Sequence, residues 1–306
     1  MHLHIPTPLI LSAPLSRTAG RPVWLKLEAL QPPGSFKIRG IGLACEHYAQ
    51  LGAKRFVSSS GGNAGLAVAY AGRLLGIAVT VVVPATTSER AKDLLQQEGA
   101  DVIVHGASWQ EANALAQSLL TGTDAFLHPF DNPLLWRGHA TMVDEVAATG
   151  HKPGAVLLSV GGGGLLAGVV EGLERNGWGD IPVLAVETEG AASLHRSMQT
   201  GQHVELEAIT SIATSLGARL VCARAFELGQ SGRVRSLLVS DKEAVDACTR
   251  FLDDHRLLVE PACGAALAVA YAQPEALEDF ENVLTIVCGG VTASADNLRQ
   301  WTTRFA

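Results

Sequence analysis

The sequence predicts an α/β fold, in which short buried strands of a mainly parallel sheet alternate with helices. Short runs rich in Val, Ile and Leu, bounded by Gly, Pro or Ser, recur along the 306 residues, and stretches with helical apolar spacing separate them. The composition favours the same class, because 47% of the residues are hydrophobic and only 5% are aromatic. Such a chain suits helices that pack closely on a parallel sheet.

Each predicted strand is an apolar run that is too short for a helix and that stops at a turn residue. Residues 78–84, for example, read Ala-Val-Thr-Val-Val-Val-Pro, and such a β-branched run favours an extended backbone. In chain order the nine predicted strands cover residues 22–28, 55–60, 78–84, 101–105, 125–129, 155–160, 182–187, 236–240 and 283–288.

The predicted helices lie between these strands, where apolar residues recur at helical spacing. They cover residues 65–75, 89–98, 111–120, 142–148, 242–255 and 295–305. No repeat of fixed period and no Gly/Ser-rich or Pro-rich linker divides the chain. A second domain is therefore expected as an insertion.

Charge and hydropathy disfavour two classes of partner. The net charge is −7, without a dense basic run, so that the electrostatic surface needed for a nucleic-acid backbone is missing. No apolar stretch approaches the roughly 20 residues of a bilayer span, and no cationic segment precedes the first apolar run. We therefore expect a cytoplasmic protein that binds neither nucleic acid nor membrane.

The cysteines indicate reduced thiols. Their number is odd and none has C-x-x-C spacing, which argues against a disulfide framework and against a zinc site. Those in helical patterns are predicted to be small buried apolar side chains. The five are Cys45, Cys222, Cys248, Cys263 and Cys288, of which Cys45, Cys248 and Cys263 lie in helical patterns.

Three glycine-rich turns follow predicted strands, where ligands of open α/β sheets collect. They cover residues 57–65, 159–168 and 287–290. The second contains four consecutive glycines, which cost much conformational entropy to order. A helix N-terminus stabilises an anion by roughly 0.3 to 1 kcal/mol, and by up to about 2 kcal/mol when partly buried. The turns therefore predict a phosphate site, although a tight turn with close helix packing would give the same pattern.

The second turn has another functional interpretation. Residues 162–167 fit the dinucleotide pattern Gly-x-Gly-x-x-Ala, and Glu187 ends the next strand near the spacing of a ribose-binding acid. This would indicate a nicotinamide-dependent oxidoreductase, but it leaves Lys37 and the first turn unexplained.

Lys37 lies between a rigid Pro-Pro-Gly turn and the start of a helix. Read alone, it is a solvated surface lysine. A lysine close to a phosphate-binding loop, however, is what a cofactor held as a Schiff base requires.

Together these residues resemble the short serine dehydratases, which are L-serine/L-threonine deaminases among the fold type II pyridoxal-5′-phosphate (PLP) enzymes. The resemblance extends over nearly the whole chain. It rests on Thr7-Pro8 and on residues 35–40, 60–65, 138–140, 161–164, 259–266 and 287–290.

The resemblance implies a fold and an activity. A large PLP domain, residues 1–37 and 138–306, would carry a small inserted αβ domain, residues 38–137. The protein would eliminate water from L-serine or L-threonine and release ammonia with pyruvate or 2-oxobutyrate. It also implies a homodimer.

The resemblance also implies how the cofactor is held. Lys37 would form the Schiff base, Phe36 would pack on the pyridine ring, and Asn63 would bind the 3′-oxygen. Cys288 would lie at the pyridine nitrogen, where a neutral thiol forms only a weak hydrogen bond. The phosphate would be held by Gly161, Gly162, Gly163, Gly164 and Leu165.

Substrate and cation ligands are expected nearby. The turn before residue 65 offers backbone N–H groups to the substrate carboxylate, for which we assign Ser60, Gly61 and Asn63. Some members of the resembled family bind a monovalent cation such as K⁺. Its ligands here would be Glu187 and the carbonyl groups of Ala191 and Leu216.

The resemblance also implies which groups transfer protons in the reaction, and two positions depart from the resembled pattern. Lys37 would remove the α-proton, and the cofactor phosphate would protonate the departing hydroxide. Related racemases place a serine where Gly61 stands, and that serine serves as the acid in racemisation. Because Gly61 has no side chain, racemisation is disfavoured. Close dehydratases carry alanine at the position of Gly61 and also at the position of Ser215. Because glycine is smaller than alanine, Gly61 is expected to leave a roomier pocket.

Two further functions stay open. Cysteine synthases catalyse β-replacement with the same cofactor, although their lysine motif tends to continue Lys-Asp-Arg, unlike Lys37-Ile38-Arg39 here. A weakly active or non-catalytic PLP-binding protein would follow if Gly61 impairs the pocket.

Overall fold

The fold is built on two mainly parallel sheets, and a computed structural model describes residues 2–305. All nine predicted strands occur, with bounds shifted by up to three residues. The strands are β1 (Leu9–Leu11), β2 (Val23–Lys26), β3 (Arg55–Ser58), β4 (Ala78–Val83), β5 (Asp101–Val104), β6 (Asp124–Phe126), β7 (Ala155–Ser159), β8 (Val183–Thr188), β9 (Val234–Val239) and β10 (Val283–Ile286).

Twelve α-helices surround the sheets within the described residues, and the six predicted ones are among them. They are α1 (Ala13–Ala19), α2 (Lys37–Gln50), α3 (Asn63–Leu75), α4 (Glu89–Gln97), α5 (Trp109–Ser118), α6 (Pro133–Ala148), α7 (Gly164–Arg175), α8 (Ser193–Thr200), α9 (Ala223–Gln230), α10 (Asp241–His255), α11 (Pro261–Ala272) and α12 (Ala295–Arg304).

The sequence prediction missed β1 and misplaced the start of α6. Strand β1 has only three residues and pairs antiparallel with β2 at the sheet edge, so that its period-2 pattern is too short to read. Helix α6 begins nine residues before the prediction. The side chain of Asn132 accepts a hydrogen bond from the backbone N–H of Leu134, and Pro133 takes the first helical position, where its missing N–H costs nothing.

The large sheet has the strand order β1-β2-β10-β7-β8-β9, and the small sheet has the order β5-β4-β3-β6. Apart from β1, all pairs are parallel, as in β7 against β10 and β3 against β6. Separate apolar cores lie between each sheet and its helices. The three glycine-rich turns directly follow the carboxyl ends of β3, β7 and β10.

The small sheet is formed entirely by residues between 55 and 126, inside the segment predicted to be inserted. The predicted domain limits stay a prediction, and both fall within helices: the first lies in α2 and the second in α6. These helices approach closely, because a Cβ atom on Gly40 would lie 2.5 Å from the carbonyl oxygen of Leu135, and one on Gly138 would lie 2.3 Å from that of Arg39.

All five cysteines are buried free thiols. Cys45, Cys248 and Cys263 lie in helices and belong to the apolar cores, as predicted. Among residues 2–305, no helix combines the length and the apolar character that a bilayer crossing needs.

A buried ionic cluster fixes the start of α2. The guanidinium of Arg39, fully buried, donates to Glu28 at 2.7 Å and to Glu145 at 2.7 Å. Lys26 donates to Glu145 and, at 2.6 Å, to the carbonyl oxygen of Thr7. Burial alone would raise the pKa of Glu145, but Arg39 and Lys26 lower it. The cluster joins β2, α2 and α6, and its member Arg39 lies two residues after Lys37 in the chain.

Replacing Arg39 with Met should lower the free energy of unfolding by about 3 to 5 kcal/mol, because Glu28 would keep a buried charge without its partner. Urea denaturation at neutral pH measures this loss. Arg175→Met is the matched control: Arg175 pairs with Asp144 at the surface, where both side chains are 39% exposed, and should cost about 1 kcal/mol or less. Equal losses in the two variants would contradict a stabilising role for the cluster.

Candidate active site

A first cavity of about 500 Å³ lies between the two sheets, at the carboxyl ends of β7 and β10. It is lined by Phe36, Lys37, Asn63, Phe130, Ser159, Val160, Gly161, Gly162, Gly163, Gly164, Leu165, Ser215, Leu216, Glu260, Ala262 and Cys288. In the part of the chain that the structure describes, Ser60, Gly61, Glu187 and Ala191 are predicted site residues that do not line it.

Lys37 places its amine in this cavity. It is the first residue of α2, and its Nζ donates to the carbonyl oxygen of Pro129 at 2.6 Å. Burial lowers the pKa of Lys37 to about 8, although the neighbouring Cys288, Glu260 and Cys222 oppose the shift. A larger fraction of the amine is therefore neutral near physiological pH than for a surface lysine, which makes it a nucleophile and a base.

Phe36 directly precedes Lys37 in the chain, and its ring is buried. The Lys37 Nζ lies 5.2 Å from its centroid, and the ring of His139 packs edge-on at 4.8 Å between centroids. The imidazole nitrogens of His139 have no hydrogen-bond partner among the described residues. Phe36 is thus held between the cavity and the ring of His139.

The four-glycine turn forms a cradle of backbone donors at the start of α7. Gly163 has a φ of +89°, which favours glycine. A Cβ atom on Gly162 would lie 2.2 Å from the ring of Phe130. Within the described residues, the N–H groups of Gly161, Gly162 and Gly163 donate to no protein acceptor. Unpaired N–H groups at a helix N-terminus suit an anion such as phosphate.

Asn63 and Cys288 stand on the wall beside Lys37. The Nδ2 atom of Asn63 donates to Glu260 at 2.8 Å, and its Oδ1 atom accepts from the backbone N–H of Val291 at 3.3 Å. A hydrogen bond to Cys263 and burial raise the pKa of the Cys288 thiol well above its usual value. Cys288 is therefore a neutral thiol.

The turn after β3 lies beside this wall and presents further donors. The N–H groups of Gly61 and Asn63 have no protein acceptor within residues 2–305. A Cβ atom on Gly61 would lie 2.7 Å from Cγ2 of Thr87 and 3.2 Å from Cγ1 of Val83. The space beside Gly61 is therefore filled by Thr87, and the roomier pocket predicted from the glycine does not form on this side.

Of the predicted cation ligands, Glu187 serves contacts within the protein. Glu187 is fully buried, and its carboxylate accepts backbone N–H groups of Leu194 at 2.9 Å and His195 at 2.6 Å, in the first turn of α8. Burial raises its pKa to about 7, although these bonds oppose the shift. Of the three predicted ligands, Leu216 alone lines the cavity.

A second cavity of about 620 Å³ adjoins the first, and both are lined by Ser215, Glu260 and Ala262. Its other lining residues include Arg90 at the start of α4, residues 212–214, and Trp301 in α12. It thus lies between the small-sheet side and the large-sheet side of the molecule, next to Glu260.

The sequence prediction missed Glu260 and Phe130 as site residues. Glu260 was only part of the stretch at 259–266, yet a carboxylate between Val259 and Pro261 in an otherwise apolar segment is a detectable signal. Phe130 had no such signal, because its position beside Gly162 depends on how the two sheets pack.

Fold and cavity together define a class: an α/β protein that brings a buried lysine amine next to a glycine cradle for an anion. A cofactor that carries both an aldehyde and a phosphate needs this pair of features.

The chain belongs to the family described as pyridoxal-phosphate dependent enzyme, whose model matches residues 1–289. It is 48% identical to a human L-serine dehydratase/L-threonine deaminase, over 97% of this chain and 94% of that one. It is 46% identical to an L-serine dehydratase of Dictyostelium discoideum, over 94% and 88%. The crystal structure of a fungal L-serine ammonia-lyase from Rhizomucor miehei matches all of both chains with a TM-score of 0.95 and 36% identity.

The residues of the first cavity fit PLP. Lys37 supplies the amine, and the unpaired N–H groups of the glycine turn supply phosphate donors. No acidic side chain other than Glu260 lines the cavity within the described residues. The family assignment also removes support for the oxidoreductase interpretation.

Proposed function

We propose that this protein is a PLP-dependent lyase that converts L-serine, L-threonine or both to ammonia and pyruvate or 2-oxobutyrate. The observation that carries the proposal is the Lys37 amine, which lies in a cavity with the glycine cradle. Two relatives named for serine dehydration match this chain over nearly its whole length. Bound PLP supplies an electron sink for the charge left by the α-proton.

Three groups of residues have roles in this proposal. Lys37 Nζ would hold the cofactor and would act as the base for the α-proton, which its pKa of about 8 permits near neutral pH. Asn63, the neutral thiol of Cys288 and Phe36 would hold the cofactor ring. The N–H groups of residues 161–165 would bind the phosphate.

The substrate carboxylate is assigned to the turn after β3. The unpaired N–H groups of Gly61 and Asn63 support this assignment, and Ser60 shares the turn. Gly61 carries no hydroxyl, so that no acid stands at this position for racemisation.

A K⁺ site at Glu187, Ala191 and Leu216 is a further part of the proposal. Oxygen ligands suit a hard cation, and a bound cation would stabilise the anionic form of the buried Glu187 carboxyl. The homodimer and the cytoplasmic location stay predictions from the sequence. Sedimentation velocity would distinguish the dimer from a 32.1 kDa monomer.

Purified protein should release keto acid from L-serine or L-threonine without an added nucleophile, which separates elimination from β-replacement. Borohydride reduction should label Lys37. Lys37→Ala should lower turnover by at least about a hundredfold even with PLP bound, because the general base is gone, whereas Lys242→Ala at the surface should leave it unchanged. Keto acid release that survives in Lys37→Ala would refute the assignment, and a colourless protein would refute the cofactor.

Replacing Gly61 with Ala should lower kcat/KM for serine by about tenfold, because the new Cβ atom would meet Thr87 and displace the turn. Thr87→Ser removes the Cγ2 atom nearest to that Cβ. The double variant Gly61→Ala/Thr87→Ser should recover most of the loss, while Thr87→Ser alone should behave as the parent. Steady-state kinetics measure all four proteins, and no recovery in the double variant would contradict the steric explanation.

Potassium chloride should raise activity relative to tetramethylammonium chloride at equal ionic strength. Glu187 must be anionic to bind the cation, and its pKa is about 7. As the pH falls below 7 the carboxyl is protonated, so that more K⁺ should be needed for half-maximal activity. Equal activity in the two salts across this pH range would exclude the site.

A further inference from the structure

Glu260 is a buried acid that the proposed chemistry leaves without a role. It is 6% exposed and precedes Pro261 at the N-terminus of α11. Its carbonyl oxygen begins the helix by accepting from the N–H of Cys263 at 2.8 Å. Short polar side chains such as Asp usually cap a helix at this position, whereas the longer side chain of Glu260 makes no cap hydrogen bond and lines the first cavity.

The carboxylate of Glu260 joins elements of both sheets. Its Oε1 atom accepts from Nδ2 of Asn63 at 2.8 Å, and its Oε2 atom accepts from Oγ1 of Thr292 at 3.1 Å. Ser215 lines the same cavity wall, and its hydroxyl lowers the pKa of this carboxylate. Asn63 belongs to the turn that follows the small-sheet strand β3, whereas Thr292 and Ser215 lie on the large-sheet side.

Packing fixes this side chain. A Cβ atom on Gly290, whose φ is +136°, would lie 2.3 Å from the Cγ atom of Glu260. A carboxylate only accepts hydrogen bonds, so that Asn63 must turn its amide nitrogen, not its oxygen, toward Glu260. The second N–H of that amide is thereby free for a ligand.

Glu260 also differs in charge from the other groups that face Lys37. The thiols of Cys288 and Cys222 have pKa values raised by a hydrogen bond and by burial, respectively, and are neutral. Burial lowers the pKa values of His128 and His139, which are neutral as well. Burial raises the pKa of Glu260 itself, but its side-chain partners Thr292 and Asn63 and the charge of Lys37 oppose that shift. Among the groups that act on the Lys37 amine within the described residues, Glu260 is the remaining source of negative charge when it is ionised.

We propose that Glu260 is a positioning residue with two tasks: it orients the amide of Asn63, and its negative charge stabilises a proton on the Lys37 nitrogen. This inference rests on the proposed function, in which Lys37 holds the cofactor. The two tasks have different physical causes, a hydrogen bond and a charge. Variants can therefore separate them.

The charge is tested on the holoenzyme without substrate, by titrating the visible band of bound PLP from about pH 6 to about pH 10. Glu260→Gln removes the nearby anion, so that the protonated Lys37 nitrogen loses stabilisation and the midpoint should fall by about one unit or more. Thr292→Val removes one donor but keeps the charge. Its midpoint should stay within about 0.3 units of the parent. Equal midpoints in Glu260→Gln and the parent, or no transition in either, would overturn the charge role.

The orientation is tested with Glu260→Asp, which keeps the charge but shortens the side chain and breaks its bond to Asn63. The midpoint should stay near that of the parent, while the dissociation constant of PLP and the KM for serine should rise about tenfold. Unchanged values would overturn the orientation role, and this variant also serves if Glu260→Gln fails to fold. A parent protein without the visible band would instead refute the proposed function, so that the two failures differ.

Discussion

The position of Lys37 depends on the contact between α2 and α6. Gly40 and Gly138 allow the two helices to approach so closely that side chains would collide with backbone atoms. At the same place, Arg39 bridges Glu28 and Glu145 from inside the protein. Because Lys37 begins α2, this contact determines where its amine enters the space between the two sheets.

Burial then determines the chemistry of the groups in that space. It lowers the pKa of Lys37, and it contributes to the raised pKa values of Cys288 and Glu260. The result is a lysine that is partly neutral and a thiol that keeps its proton. The low dielectric also strengthens each remaining charge interaction. This is why a single carboxylate such as Glu260 can influence the lysine without a direct salt bridge.

Glycine has different functions at three places in the site. In the four-glycine turn, Gly163 takes a left-handed conformation and Gly162 makes room for the ring of Phe130. At residue 290, glycine makes room for the side chain of Glu260. At residue 61 the sequence suggested extra pocket space, but Thr87 occupies it. The absence of a side chain therefore does not by itself create volume for a ligand.

The sequence by itself determined the fold class and nine of the ten described strands, and it drew attention to Lys37 and the glycine turn, which line one cavity. These features have local causes: apolar periodicity specifies strands and helices, and a glycine run after a strand specifies a donor-rich turn. The burial of Cys45, Cys248 and Cys263 was readable for the same reason. The short edge strand β1 escaped because three residues carry too little pattern.

The tertiary structure alone decided which residues act on one another across the cavity. Asn63 and Glu260 are separated by almost two hundred positions, and no local pattern links them before β3 and α11 are packed together. The same holds for Phe130 beside Gly162 and for Thr87 beside Gly61. Burial, which sets the proton affinity of Lys37, Cys288 and Glu260, is likewise a property of the packed molecule, since it depends on every element that excludes water from the cavity.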